Sequence, residues 1–321
     1  SPFPPLHLMV HIGEISAASF NDTIPAKEVW RVSEDGELRD PFKKLTTVFQ
    51  MSEEIFFLHY GKDGCNRHVL IDECRELFGE IYEQIPELPF CNIWTAMQLS
   101  SRLPKGALFH MGVSNTRRCW NMFQLPESVE SACNVGCCGI DGCVSTLVGA
   151  SLVNPDRLCY VVVGDLTFFY DLNSLGNHHI GTNLRVMLVN NGRGTEFRLG
   201  IHHCNVFGDD ADKYMAAAGH FGNKSPLLVK HYAEDLGFHY LSATTKEEFM
   251  TALSNFTNPQ LSDHSMILEV FTDSKDESEA LYLMSHIQSD AKGMVRSKLK
   301  DAVRNVAGEK GINAIKKILK K

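Results

Sequence analysis

Residues 164–197, GDLTFFYDLNSLGNHHIGTNLRVMLVNNGRGTEF, decide the fold of this chain. They follow the apolar run 158–163 and contain a second such run, 184–189. Short runs rich in Val and Leu, bounded by Gly, Asp and Asn, are typical of strands buried on both faces of a parallel sheet. Residues 170–180 have room for a crossover helix, so the stretch is predicted to be a strand–helix–strand unit.

Asp165 and Asn191 each stand next to the carboxyl end of one predicted strand. Parallel strands joined by a right-handed crossover end at the same edge of the sheet, where open α/β sheets bind ligands. Carboxylate, amide and loop-carbonyl oxygens are hard donors that suit Mg²⁺, which completes its shell with phosphates and water. The alternative is an ordinary crossover with turn residues at its strand ends.

The same stretch resembles a known family. Gly164-Asp165, a spacer and Asn190-Asn191 are similar to the diphosphate-binding motif of thiamine diphosphate-dependent enzymes, and the match extends through residues 170–173 and 190–197. Within that family these segments look most like the menaquinone-pathway synthases, which join decarboxylated 2-oxoglutarate to isochorismate. The resemblance implies thiamine diphosphate and Mg²⁺ as cofactors and a 2-oxo acid as substrate.

The resemblance also implies a set of site residues. Asp165, Asn191 and the backbone carbonyl of Arg193 would bind the metal, although the family tends to have Gly where this chain has Arg193. The implied cofactor-binding residues are Ser114, Ile140, Gly164, Asp165, Leu166, Thr167, Asn191, Arg193, Gly194 and Thr195. No acid–base catalyst is expected within this chain.

Two further segments resemble the family and contain Ser114, Arg118 and Ile140, whose roles the resemblance implies. In the loop 112–118, Ser114 would contact the cofactor diphosphate and Arg118 would bind a substrate carboxylate, a task for which a planar guanidinium is well suited. In the segment 134–142, Ile140 would hold thiamine in its bent conformation, and Asp141 is a natural N-cap for a helix over 142–152. The synthases have an arginine where this chain has Val135, which counts against the menaquinone reaction itself.

The element pattern predicts an α/β protein. Residues 1–88 are expected to be the C-terminal half of a central α/β domain, with strands over 6–12, 27–32 and 46–51 and a helix capped by Ser52. Residues 89–275 are expected to be a three-layer α/β/α diphosphate-binding domain with a parallel sheet. Residues 276–321 are expected to be a basic helical tail, which either packs on the protein or a second subunit or lies on an anionic membrane.

The resemblance further implies that a pyrimidine-binding domain, which supplies the catalytic glutamate, belongs to the same or another subunit. This sequence does not contain it, so we expect either a fragment or a split subunit, inactive alone, within a homo-oligomer (a dimer or tetramer). Decarboxylase and carboligase activity, including an acetolactate-synthase type, remain open. The alternative class is a non-catalytic module. No Gly-x-Gly-x-x-Gly follows a strand, so a Rossmann domain is disfavoured.

Composition restricts the classes of partner and the location expected of the protein. The chain has 321 residues, a net charge of −8 and ten cysteines. This acidic balance does not favour nucleic acid, and no apolar run approaches the ~20 residues that span a bilayer. The cysteine usage predicts a reducing, cytoplasmic location. A cysteine metal cluster within residues 133–143 is disfavoured. A metal site formed by His7 and His11 is also disfavoured, because both histidines are expected on a half-solvated face of their strand. His202 or His203 is a candidate for contact with a ligand.

Overall fold

The computed structural model describes residues 6–13, 26–61, 69–136, 138–200, 202–213 and 225–287. The chain divides into two compact units, with the boundary between Gln84 and Ile85. The helix predicted over 214–220 and the part of the predicted tail from 288 onward lie outside the described residues.

The first unit contains a three-stranded parallel sheet, in the order β1-β2-β3. Its strands are β1 (Leu6–Ile12), β2 (Ala26–Val32) and β3 (Leu45–Phe49), and its helices are α1 (Glu53–Tyr60) and α2 (Val69–Glu83). Ser52 is the N-cap of α1, because its hydroxyl accepts a hydrogen bond from the amide of Ile55. All three predicted strands and this cap are confirmed.

The prediction that both histidines of β1 lie on a half-solvated face is wrong for His11. His7 is exposed and lies 3.3 Å from the Lys27 ammonium. His11 is buried, with its ring edge-on to Phe42 at a centroid distance of 5.4 Å. Residues beyond the strand therefore cover the His11 side chain.

The second unit contains a six-stranded sheet in which every pairing is parallel, in the order β5-β4-β6-β7-β9-β8. The strands are β4 (Leu108–Met111), β5 (Glu130–Cys133), β6 (Cys159–Gly164), β7 (Leu184–Asn190), β8 (His239–Ala243) and β9 (Met266–Phe271). The sequence analysis did not predict β5, which is a short, largely exposed edge strand without an apolar pattern.

Helices cover both faces of this sheet, which confirms the predicted α/β/α layers. The helices are α3 (Asn92–Ser100), α4 (Asn115–Trp120), α5 (Cys143–Val153), α6 (Asp165–Asp171), α7 (Leu228–Asp235), α8 (Lys246–Phe256) and α9 (Ser274–Ser285). One core contains α3, α4, α8 and α9 with Tyr160 and Val162 of β6. The other contains α5, α6 and α7 with Val161 and Val163. Successive side chains of β6 thus enter opposite cores, as the strand period of two requires.

The crossover between β6 and β7 begins earlier than predicted. The helix α6 starts at Asp165, directly after the strand, and a 3₁₀ segment, Leu172–Gly176, follows it. The Asp165 carboxylate accepts the amide of Leu166 in the first turn at 2.7 Å. The helix was predicted only within 170–180, because this contact between adjacent residues leaves no periodic pattern in the sequence.

One other local prediction is wrong. The N-cap of α5 is Gly142, not Asp141, and the acceptor near this helix start is Asp171, which accepts the Ser145 amide at 2.7 Å. After β7, the described residues include two 3₁₀ segments, Thr195–Arg198 and His203–Lys213.

Candidate functional site

The carboxyl ends of β6 and β7 bring Asp165 and Asn191 to one place. The two strands pair in parallel with Gly164 opposite Val189, so the residues that follow leave the same edge of the sheet. Asp165 is 2% exposed, and its second carboxylate oxygen accepts the amide of Gly192 at 2.6 Å. One carboxylate therefore links the two strand ends and fixes the start of the 191–197 loop.

The neighbouring Asn190 belongs to a buried hydrogen-bond network and does not line the cavity described below. Its side-chain amide donates to Glu269 at 2.7 Å, and the Tyr240 hydroxyl donates to the other Glu269 oxygen at 2.7 Å. Burial raises the pKa of Glu269, and these two hydrogen bonds oppose that shift. The Asn190 side chain thus donates to Glu269 of β9, and its oxygen accepts the Gly192 amide at 3.3 Å. Among the described residues, the amide oxygen of Asn191 accepts one long bond, 3.4 Å, from the amide of Arg193.

A cavity of about 320 Å³ opens beside these strand ends. All of the predicted cofactor-binding residues line it: Ser114, Ile140, Gly164, Asp165, Leu166, Thr167, Asn191, Arg193, Gly194 and Thr195. Its wall also includes residues that the sequence analysis did not assign to the cofactor: Asn92, Val113, Asn115, Thr116, Cys138, Val189, Glu196 and Phe197. Three segments far apart in sequence, 113–116, 138–140 and 189–197, converge with the start of α6 on this cavity.

The donor chemistry of this cavity fits Mg²⁺ and a diphosphate. Asp165 provides a carboxylate, Asn191 an amide oxygen and the 191–195 loop backbone carbonyls, which are hard oxygen donors. The Thr195 hydroxyl is buried, with the residue 4% exposed, and it has no hydrogen-bond partner among the described residues. An unpaired buried hydroxyl is costly, so this group is suited to meet a polar ligand.

The loop before α4 presents Ser114 to the cavity in an unusual backbone conformation. Ser114 has a φ of 59°, a region that residues other than glycine rarely adopt. Such conformations persist where the surrounding structure holds them and are concentrated at binding sites. The hydroxyl of Ser114 makes no capping hydrogen bond to α4.

Arg118 does not line the cavity. Its two terminal nitrogens donate to the two carboxylate oxygens of Glu196 at 2.7 and 2.8 Å, a bidentate pair. The hydrogen bond with Glu196 raises the pKa of Arg118. Glu196 itself lines the cavity, and the sequence analysis gave it no role because an acidic residue in a loop is unremarkable by pattern alone.

The cysteines and histidines singled out from the sequence occupy different positions. Cys138 lines the cavity, and its thiol lies 3.5 Å from the carbonyl of Val135. Within the described ranges, no three His, Cys, Asp or Glu side chains are grouped to hold a metal ion. His202 packs edge-on to Phe197 at 5.1 Å and accepts the Cys204 amide, so it touches a wall residue but not the cavity.

Asn92 is a functional candidate that sequence reasoning missed. It begins α3 and lines the cavity. Its backbone amide donates to Glu277 of α9 at 3.0 Å, and its side-chain oxygen accepts the Trp120 indole at 3.0 Å. Because Glu277 lies 185 residues away in sequence, no local pattern could reveal this contact.

The fold and the geometry of this cavity define the class of domain: a three-layer α/β/α domain with a parallel sheet, and a cavity lined by oxygen donors at adjoining strand ends. No protein-family model matches the chain. Curated proteins do match it, and they confirm the resemblance found in the sequence.

The chain is 34% identical over 263 residues to 2-succinyl-5-enolpyruvyl-6-hydroxy-3-cyclohexene-1-carboxylate synthase from Bacteroides fragilis, covering 80% of this chain and 45% of that protein. Proteins of the same name from Phocaeicola vulgatus and Bacteroides thetaiotaomicron are each 32% identical, over 265 and 259 residues. Those matches each cover 80% of this chain and 44% of the relative. The chain therefore spans less than half the length of these relatives.

None of the helices in the described ranges is both long enough and apolar enough to cross a membrane.

Proposed function

We propose that this chain is the Mg²⁺- and diphosphate-binding part of a synthase-like thiamine diphosphate-dependent enzyme that acts on a 2-oxo acid as decarboxylase or carboligase. The observation that carries this proposal is that Asp165, Asn191 and Thr195, whose hydroxyl has no partner among the described residues, line one cavity at the ends of two parallel strands. The matches to curated synthases over 80% of the chain support it.

The side chains of the cavity divide into three tasks. Asp165, Asn191 and the carbonyl of Arg193 would hold Mg²⁺, which in turn binds phosphate oxygens. The hydroxyls of Ser114 and Thr195 would donate to the diphosphate. Ile140 would support the bent thiamine, since it is an apolar wall residue facing the same space.

When bound, thiamine diphosphate supplies the electron sink that a 2-oxo acid needs in order to lose CO₂. This chain contributes binding and orientation, and we assign it no acid–base catalyst. The glutamate that pairs with the aminopyrimidine would come from a pyrimidine-binding domain in the same or another subunit of a homo-oligomer. The described cysteines are free thiols, which supports the proposal of a cytoplasmic location.

Calorimetric titration with thiamine diphosphate tests this function. We expect heat of binding in the presence of Mg²⁺ and none after chelation. Asp165→Ala should weaken binding by more than about tenfold, since even losing an outer-shell partner of a metal costs that much. Asp156→Ala is the matched control, because Asp156 is exposed in a turn away from the cavity. Equal binding by wild type and Asp165→Ala, with circular dichroism confirming that the variant is folded, would refute the metal assignment.

A further inference from the structure

Asn92 places an oriented side-chain amide at the wall of the cavity. The residue is 2% exposed, and it lines the same cavity as Asp165 and Thr195. Its side-chain oxygen accepts the Trp120 indole N–H at 3.0 Å. An indole nitrogen can only donate, so the oxygen of the amide must face Trp120 and the NH₂ group must point away from it. The protein itself therefore distinguishes the two ends of this amide.

The surroundings of Asn92 keep the amide in this orientation. Trp120 is buried and packs against Phe109 at a centroid distance of 5.1 Å. The backbone amide of Asn92 donates to Glu277 of α9 at 3.0 Å, and its carbonyl accepts the Thr95 hydroxyl at 2.8 Å. Rotation of the side chain would leave the buried indole without an acceptor, which is unfavourable. The orientation of the amide is thus set before any ligand binds.

The NH₂ group of Asn92 is the part of this side chain that is left for the cavity. Within the described ranges, the hydrogen bonds of Asn92 involve its backbone and its side-chain oxygen, and none involves this nitrogen. An amide NH₂ donates and does not accept, so a ligand that meets it must offer acceptor atoms. Because a buried donor without a partner is costly, this group favours a ligand rich in acceptors.

The diphosphate is the part of the proposed cofactor that fits this donor. Burial raises the pKa of Glu277 to about 7, and the charge of Asp165 adds to this shift, so the two carboxyl groups lie near each other. Since Glu277 is bonded to Asn92, the amide lies on the side of the cavity where Asp165 would hold Mg²⁺ and its phosphate oxygens. A hydrogen bond to an ionised oxygen is roughly twice as strong as one between neutral groups. The cationic thiazolium ring offers no such acceptor.

On the basis of the proposed function, we propose that Asn92 is a diphosphate-binding residue, whose side-chain NH₂ donates to a phosphate oxygen of the Mg²⁺-bound cofactor. Trp120 positions this amide, and Glu277 holds the start of α3 that carries it. The diphosphate is then bound from α3 as well as from the ends of β6 and β7.

Calorimetric titrations of the full chain with two ligands test this assignment. The ligands are thiamine diphosphate and inorganic diphosphate, each with Mg²⁺, because they share the group that Asn92 binds. Asn92→Asp replaces the NH₂ donor by an oxygen and keeps an acceptor for the Trp120 indole. Asn255→Asp makes the same exchange at an exposed position of α8 and is the matched control.

We expect Asn92→Asp to weaken the binding of both ligands by a similar factor, at least about tenfold, because repulsion between like charges replaces a charge-assisted hydrogen bond. Asn255→Asp should bind both ligands to within about threefold of wild type. A second pair of variants introduces no charge. Asn92→Ala/Trp120→Phe should bind both ligands about tenfold more weakly than Trp120→Phe alone, since the two variants share the altered packing and differ in the amide.

The assignment is overturned if Asn92→Asp, folded by circular dichroism, binds inorganic diphosphate as tightly as wild type does. It is also overturned if the loss is confined to thiamine diphosphate, because the amide then faces another part of the cofactor. If Asn92→Asp does not fold, the second pair decides, and equal affinities within that pair overturn the assignment. Absence of Mg²⁺-dependent binding of thiamine diphosphate by wild type contradicts the proposed function itself.

Discussion

Neighbouring residues at the end of β7 have different tasks. Asn190 is bonded to the buried Glu269, and this contact anchors the strand end in the sheet. Asn191, one position later, lines the cavity with Asp165. A side chain already satisfied inside the protein is a poor metal ligand, so the geometry favours Asn191 as the amide donor. The Asn-Asn pair alone could predict a strand end but not this division of roles.

Thr195 provides a test at the residue scale that separates binding from folding. Replacing it by Val removes a buried hydroxyl that has no partner among the described residues. The free energy of unfolding without cofactor should therefore stay unchanged or rise by up to about 1 kcal/mol. The affinity for Mg²⁺-thiamine diphosphate should fall about tenfold, measured by calorimetry, since one hydrogen bond to a charged group is lost.

Thr195→Ser is the matched control, because it keeps the hydroxyl and should retain the affinity to within about threefold. If Thr195→Val instead destabilised the protein and left the affinity intact, the hydroxyl would have a structural role and no part in the site.

At the scale of elements, Glu277 fastens α9 to α3 beside the cavity. One of its oxygens accepts both the Asn92 amide, at 3.0 Å, and the Thr272 hydroxyl, at 2.8 Å. The other oxygen is buried without a partner among the described residues. Burial raises the pKa of Glu277 to about 7, so the folded protein favours the neutral carboxyl group.

This shift predicts a pH dependence of stability. The folded state binds the proton more tightly than the unfolded state, whose carboxyl titrates near 4.5. The free energy of unfolding should therefore fall as the pH rises from about 4.5 to 7, by at most roughly 3 kcal/mol. Denaturant titrations at several pH values measure it. Glu277→Gln should remove the part of the fall due to Glu277 and leave a smaller fall from Glu269, whose pKa burial also raises.

The exposed Glu279 on the same helix provides the control, because Glu279→Gln should leave the pH profile as in wild type. A wild-type slope that persists in Glu277→Gln would show that another group is responsible.

Sequence patterns predicted the strands that are buried along most of their length. The runs that became β6, β7 and β9 are buried along nearly their whole length, and most of their residues are apolar. The cap of α5 and the edge strand β5 escaped prediction, because each depends on a contact with another segment. Asp171, for example, serves α5 from a position 26 residues after Ser145.

At the scale of the whole molecule, the candidate site residues of the second unit lie at one edge of its sheet. The cavity gathers residues from the ends of β4, β6 and β7 and from the 138–140 segment. The donors expected from the sequence motif, Asp165 and Asn191, do meet there. The Arg118–Glu196 pair could not be predicted, because its members are 78 residues apart and belong to different motifs.

The chain spans less than half the length of the curated relatives named above. The central prediction is that the side-chain oxygens of Asp165 and Asn191, at neighbouring strand ends, bind one divalent ion.

Anomalous diffraction from crystals of the chain grown with Mn²⁺ and thiamine diphosphate tests that claim most directly. Mn²⁺ accepts the same kinds of oxygen ligand as Mg²⁺. We predict an anomalous peak about 2.0–2.3 Å from side-chain oxygens of both Asp165 and Asn191, with the diphosphate on its open side. A peak that touches neither side chain, or a diphosphate bound outside the cavity, would contradict it.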